Sequence, residues 1–178
     1  MSILASENHL HMSMIGYLLR VSENELEGYL QNYLLLEERL LDDIDPALLD
    51  IDKTWEGILY ILTGHGISTI EEAKPPLKWV IFGDYIIDED LDMGYGPAEY
   101  RTVDQVKEIS DALQEISDEK FKIMFDNADA KMRIDSDPGI LWPEGDEAFQ
   151  YHLEYFKLIK DFYCKAKENG EAVISFIA

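Results

Sequence analysis

The chain has 178 residues, with 37 acidic against 15 basic side chains and a formal net charge of −22. A field of that sign repels phosphate backbones and anionic membrane surfaces, which argues against nucleic-acid binding and favours a cationic partner. The length suits one domain, and a 47 % hydrophobic fraction with three Trp, ten Tyr and seven Phe is enough for a core without staples.

The apolar residues are spread and periodic, so the chain is not an acidic disordered tail. Its single cysteine, Cys164, has no partner for an internal disulfide. One thiol and no signal-peptide pattern point to a reducing cytoplasm. No apolar run reaches the roughly 18 residues that a membrane helix needs.

Residues 1–11 are polar and aperiodic, and a second Met-Ser follows at Met12-Ser13. They read as a disordered extension that takes His9 and His11 out of the pool of ligands. Met14 to Val21 reads as a strand apolar on both faces, hence covered on both sides. Ser22 and Glu25 form a capping box, in which Ser22 accepts from an orphan N–H and Glu25 reaches back. The helix they open places Leu26, Leu30, Tyr33 and Leu34 on one face. Pro46 interrupts a second, Leu-rich helical piece.

Trp55, Ile58, Leu59 and Leu62 fall at i, i+3, i+4 and i+7, one apolar stripe of a helix that Gly64 stops. Trp79 to Phe82 reads as a strand after the Lys74-Pro75-Pro76 loop, and Ile86-Ile87 as a shorter one. Thr102 and Gln105 make a second capping box, before a helix burying Val103, Val106, Ile109, Leu113 and Ile116. Ser117 starts a short helix ending near Phe125. Asp135 to Gly145, with Trp142, reads as a loop. Asp146 to Glu168 reads as a long helix with Phe149, Leu153, Phe156, Ile159 and Tyr163 inward. Asn169-Gly170 ends it, and Ala172 to Ile177 closes the chain as a strand. The expected fold class is α+β: a single domain, residues 12–178, with a small mixed β-sheet of about three to four strands flanked by several helices.

Several segments, in order, resemble the YfbM-type bacterial proteins, a family of unknown function. They are Met12-Ser13-Met14-Ile15-Gly16, the run from Leu49 through Asp50, Ile51, Asp52, Lys53, Thr54, Trp55, Glu56 and Gly57 to Ile58, and Leu62-Thr63-Gly64. Val80-Ile81-Phe82-Gly83, Gly94-Tyr95-Gly96-Pro97-Ala98 and Asn169-Gly170-Glu171-Ala172-Val173 follow. The resemblance covers about Met12 to Ala178. It implies an α+β fold on a small sheet and no reaction.

The segment from Lys78 to Tyr100 holds the candidate ligand- or partner-binding residues: Asp84, Asp88, Asp90, Asp92, Tyr95, Glu99 and Tyr100, with His65 as an outlying eighth. Asp88, Asp90, Asp92 and Glu99 stand at positions 1, 3, 5 and 12 of a would-be Ca²⁺ loop. Met93 replaces the glycine such a loop needs at position 6, and Pro97 stiffens the second half. A solvated acidic loop is therefore the stronger reading, and no metal or other cofactor is expected. Gly94-Tyr95-Gly96-Pro97 reads as a tight turn that either packs Tyr95 on the core or presents it as a binding lip, with Tyr100 and Arg101 nearby.

His65, between turn residues, is expected to be exposed and to titrate near neutrality. His152 reads as half-buried and structural. Asp52 reads as the N-cap or first-turn acid of its helix, and Trp55 as core. Cys164 lacks any activating pattern.

Two functions follow. The first is a non-catalytic interaction module that holds a basic protein partner on its acidic surface, in one form an immunity-like inhibitor of a nucleic-acid-cleaving toxin. The second is a small enzyme or small-molecule binder using the Asp84–Tyr100 loop, which requires a pocket where His65 or Asp84 meets Tyr95.

Overall fold

A computed structural model describes residues 14–41, 44–135 and 146–178. The expected N-terminal extension, with His9 and His11, lies outside the described residues, as does the loop at Trp142. The described chain runs β1 (Gly16–Val21), α1 (Glu23–Gln31), α2 (Leu34–Leu40), β2 (Leu48–Asp50) and α3 (Thr54–Thr63). Two 3-10 helices, Ile67–Glu72 and Leu77–Val80, precede β3 (Tyr85–Ile86) and β4 (Glu99–Arg101). The chain ends with α4 (Val103–Gln114), α5 (Asp118–Asp135), α6 (Asp146–Asn169) and β5 (Ala172–Ile177).

The fold is a single α+β domain on one five-stranded sheet, in the order β2-β1-β5-β4-β3. Every adjacent pair is antiparallel. The sheet is thus larger than the three to four strands expected, and it is antiparallel rather than mixed. Its central pair joins the two ends of the described chain, with Gly16 opposite Ile177 and Val21 opposite Ala172. The strands missing from the sequence reading, β2 and β4, have three residues each. That is too short for an alternation to show.

Successive strand residues face opposite sides, so the sheet divides the core in two. Leu18 and Val173 face α3, α4, α5 and α6, where Trp55, Ile58, Ile109, Phe121, Phe156 and Tyr163 fill the interior. Phe121 and Phe156 stack there with centroids 4.2 Å apart. Leu19, Val21, Ile174 and Phe176 face the other side, under Leu26, Tyr29 and Leu36 of α1 and α2. The two-sided cover read from Met14–Val21 is present, and so are both capping boxes.

Other local readings give way. Trp79 to Phe82 is not a strand but the end of a 3-10 helix and the turn after it. Its carbonyls are satisfied by side chains instead of a neighbouring strand. Trp79 O accepts from Arg101 Nε at 2.7 Å, Val80 O from Tyr163 OH at 2.8 Å, and Ile81 O from Ser175 Oγ at 2.9 Å. The stripe of Leu26, Leu30, Tyr33 and Leu34 also fails as one face. α1 stops at Gln31, and the Asn32 side chain accepts from Leu34 N–H at the start of the next helix. Leu30 and Leu34 are left 40 % and 50 % exposed. Val103 and Phe149 are only partly buried. α5 runs well past Phe125, because Ala128 continues its buried face.

Candidate functional site

The acidic segment is folded down onto the sheet. Ile87, Leu91 and Ala98 are buried in the second half of the core, with Met93 packed beside them. Ile87 N–H donates to Ala98 O at 2.8 Å, Met93 N–H to Gly96 O at 3.0 Å and Tyr95 N–H to Ile177 O at 3.3 Å. These bonds fasten the loop across its own base and to the end of β5. Gly94 and Gly96 both hold positive φ, 115° and 103°. At Gly94 the requirement is doubled, since a Cβ would also sit 3.5 Å from Ala178 Cα. The turn expected at Gly94–Pro97 is therefore present, and Tyr95 is 42 % exposed at its tip.

Because the apolar residues of the loop point inward, its acids point out. Asp90 and Asp92 are exposed and Asp88 is half-buried. Asp88 accepts from Asp90 N–H at 2.9 Å and Asp92 from Gly94 N–H at 2.8 Å, so two carboxylates cap the loop's own turns. Glu99 does not join them. It lies on β4, next to Tyr100, and strand alternation sends the two side chains to opposite faces. Tyr100 stacks on Tyr85 at 5.3 Å. Glu99 accepts from Gly83 N–H at 2.6 Å, and burial raises its carboxyl pKa despite the nearby Arg101. The four positions of the would-be Ca²⁺ loop thus do not converge. Among the described residues, no three His, Cys, Asp or Glu side chains could hold one metal ion.

Asp84 sits apart again, accepting from Trp79 Nε1 at 2.7 Å and lying 3.3 Å from Lys78 Nζ. Next to it Arg101 is fully buried, with Nη1 donating to Ser175 Oγ at 2.6 Å. Its Nη2 has no hydrogen-bond partner among the described residues, and burial lowers its pKa.

His65 is half-buried rather than exposed. It lines a groove of about 590 Å³ between the ends of α3 and α4, with Leu62, Leu77, Ile116 and Met124 on the floor. Its Nδ1 lies 3.3 Å from Thr69 Oγ1. The rim carries Glu72 and Glu115 but also Lys74 and Lys120, and neither Asp84 nor Tyr95 lines it. His65, Asp84 and Tyr95 therefore do not share this pocket.

The remaining candidates lie apart from the acidic loop. His152 is buried rather than half-buried, with Nδ1 2.8 Å from Ala148 O. Asp52 is not the N-cap of α3. It adopts φ 50°, and its carboxylate accepts from Tyr151 OH at 2.6 Å. Lys53 takes the cap position, and the Thr54 hydroxyl donates to Ile51 O. Burial and the adjacent Glu168 hold the Cys164 thiol above its usual pKa, the opposite of activation.

A second groove escaped the sequence reading. It measures about 600 Å³ and is lined by Tyr17, Leu40, Ile44, Asp45, Leu48, Asp50, Met93, Phe176 and Ala178. These residues come from β1, α2, β2, the acidic loop and β5, so no local pattern could reveal it.

Among the described residues, no helix is long and apolar enough to cross a membrane. No curated protein matches the chain. The structure is similar to a protein of unknown function, YfbM from Escherichia coli, with a TM-score of 0.67 at 19 % identity, over 93 % of this chain and all of that one. At that identity the likeness concerns the fold. A family model described as a domain of unknown function (DUF1877) matches residues 12–176, nearly the whole chain, and the protein belongs to that family.

Proposed function

We propose that this protein is a cytoplasmic, non-catalytic binding module whose partner is a basic protein. The observation that carries this reading is how its charges are distributed. Among the described residues, its cations are largely spent within the chain. Arg20 pairs with Glu171, Arg39 with Glu25 and Asp45, Lys78 with Asp84, Lys157 with Asp118, and Lys167 with Asp111. Lys131 and Lys160 donate to the carbonyls of Gly64 and Ile116 at helix C-termini.

The loop from Asp84 to Tyr100 contains six acids (Asp84, Asp88, Glu89, Asp90, Asp92 and Glu99) and no Lys or Arg. Among the described residues, no cation pairs with Asp88, Asp90 or Asp92. The loop is hydrogen-bonded across its own base and packed on the sheet, an arrangement that lowers the ordering cost of displaying these carboxylates. Exposed Tyr85, Ile86 and Tyr95 beside them add apolar contact area. An inhibitor that covers the cationic active site of a nucleic-acid-cleaving toxin is one form of this function.

The test is capture from native cell extract at low ionic strength. Wild type is compared with Tyr95→Ala and with a variant in which Asp88, Asp90 and Asp92 are all changed to Lys. The reading expects a basic protein that wild type retains and the loop variants lose. Recovery of the same proteins by all three would count against it.

A further inference from the structure

We infer that the groove between β2, α2 and the acidic loop is the apolar anchor point for the basic partner, receiving an apolar side chain flanked by lysine or arginine. This inference rests on the reading of the protein as a module for basic partners and gives that module a specific contact.

The floor of the groove is the stacked pair Tyr17 and Phe176, with centroids 5.1 Å apart and rings 19° from parallel. Leu48 and Met93 continue it. At its mouth Ile44 is 91 % exposed, and Leu41 nearby in sequence is 81 % exposed. These are the two most exposed large apolar side chains among the described residues. Bare apolar surface of this kind at a rimmed groove marks a contact site.

The rim decides the occupant. Among the described residues, Asp45 and Asp50 are its only charged side chains, and no Lys or Arg lines it. Asp45 is already paired with Arg39 at 2.7 Å, which leaves Asp50 as the open charge. Asp50 also lies opposite Tyr17 across the β1–β2 pair. Burial first, then the charges of Asp50 and Asp52, hold the Tyr17 phenol above its usual pKa. A second copy of this chain, also at −22, would be repelled. The groove near His65 has no such preference, because two lysines and two glutamates both line it. Met93 belongs to both the groove and the acidic loop, so one partner can engage both at once.

The experiment uses the full chain and two labelled peptides of equal positive charge, one alternating lysine with leucine and one alternating lysine with serine. Affinities are measured at low ionic strength. Two variants accompany the wild type. Ile44→Ser alters a side chain almost wholly in solvent. Asp50→Asn removes a charge while keeping the acceptor for Asp52 N–H, a bond of 2.7 Å. Wild type is expected to prefer the lysine–leucine peptide by about tenfold, and each variant to lose most of that preference. Equal affinity for the two peptides, or a preference unchanged in both variants, would overturn the groove while leaving a charge-driven module intact. Binding of neither peptide would overturn both. Concentration-dependent dimerisation through Ile44 would assign the groove to a second copy instead.

Discussion

Gly57 on α3 lies directly beneath the imidazole of His152 on α6: a Cβ at Gly57 would stand 2.2 Å from His152 Nε2. The two helices can approach this closely only because one residue has no side chain there. Gly57→Ala should destabilise the fold by about 1–3 kcal/mol through overpacking, despite the better helix propensity of alanine. Pairing it with His152→Ala should recover part of the loss. A double-mutant cycle by chemical denaturation measures this, and strict additivity would show that the two residues do not clash.

Burial lowers the pKa of His152, so it folds as the neutral ring. The unfolded chain protonates this side chain first, at about pH 6.5. Stability is therefore full above that pH and falls as pH drops below it, until the folded form also protonates. Denaturant midpoints followed from about pH 7.5 to 5.5 should decline more steeply in wild type than in His152→Leu. Parallel declines would remove His152 from the explanation.

Asp45 titrates in the opposite range. The hydrogen bond from Arg39 is the largest cause holding its carboxyl below the usual value. The stability it contributes is present above about pH 3.9 and is lost as pH falls through the lower, folded value. Arg39→Gln should flatten this acid limb in melts recorded below about pH 5. An unchanged limb would show that the pair does not contribute.

At Gly83 the constraint is backbone against backbone. A Cβ there would come within 2.6 Å of Tyr100 O. Gly83→Ala must open the junction that precedes β3, at a cost of about 1–3 kcal/mol. It should also loosen Glu99, whose carboxylate accepts from Gly83 N–H. Faster amide exchange at Ile86 and Ile87 in the variant would report this, and unaltered protection would contradict it.

Sequence and structure agree where local chemistry decides. Ser22 with Glu25 and Thr102 with Gln105 form capping boxes whose partners are three residues apart. Gly64 closes α3 at φ 74°, and Ile58 and Leu59 are fully buried on its stripe. Sequence and structure differ where distant residues decide. Trp79 to Phe82 has the apolar run of a strand, but Arg101, Tyr163 and Ser175 take its carbonyls from 22 to 94 positions away. Glu99 reads as part of the acidic loop, but pairing with Ser175 of β5 fixes which way it faces. The acidic display was legible as composition. The groove beside it was not, because Tyr17 and Phe176 meet only across the central strand pair.

Whether the acidic loop faces the partner is decided by the association rate of wild type and the Asp88/Asp90/Asp92→Lys variant with a lysine-rich peptide, measured across ionic strength by stopped-flow fluorescence. The wild-type rate should fall by about tenfold or more as salt rises from roughly 0.01 to 0.15 M, where the screening length shrinks from about 30 to 8 Å. The variant should be slower at low salt and respond less. Equal rates for the two proteins, or a wild-type rate indifferent to salt, would contradict the claim that the acidic loop is the partner-facing surface.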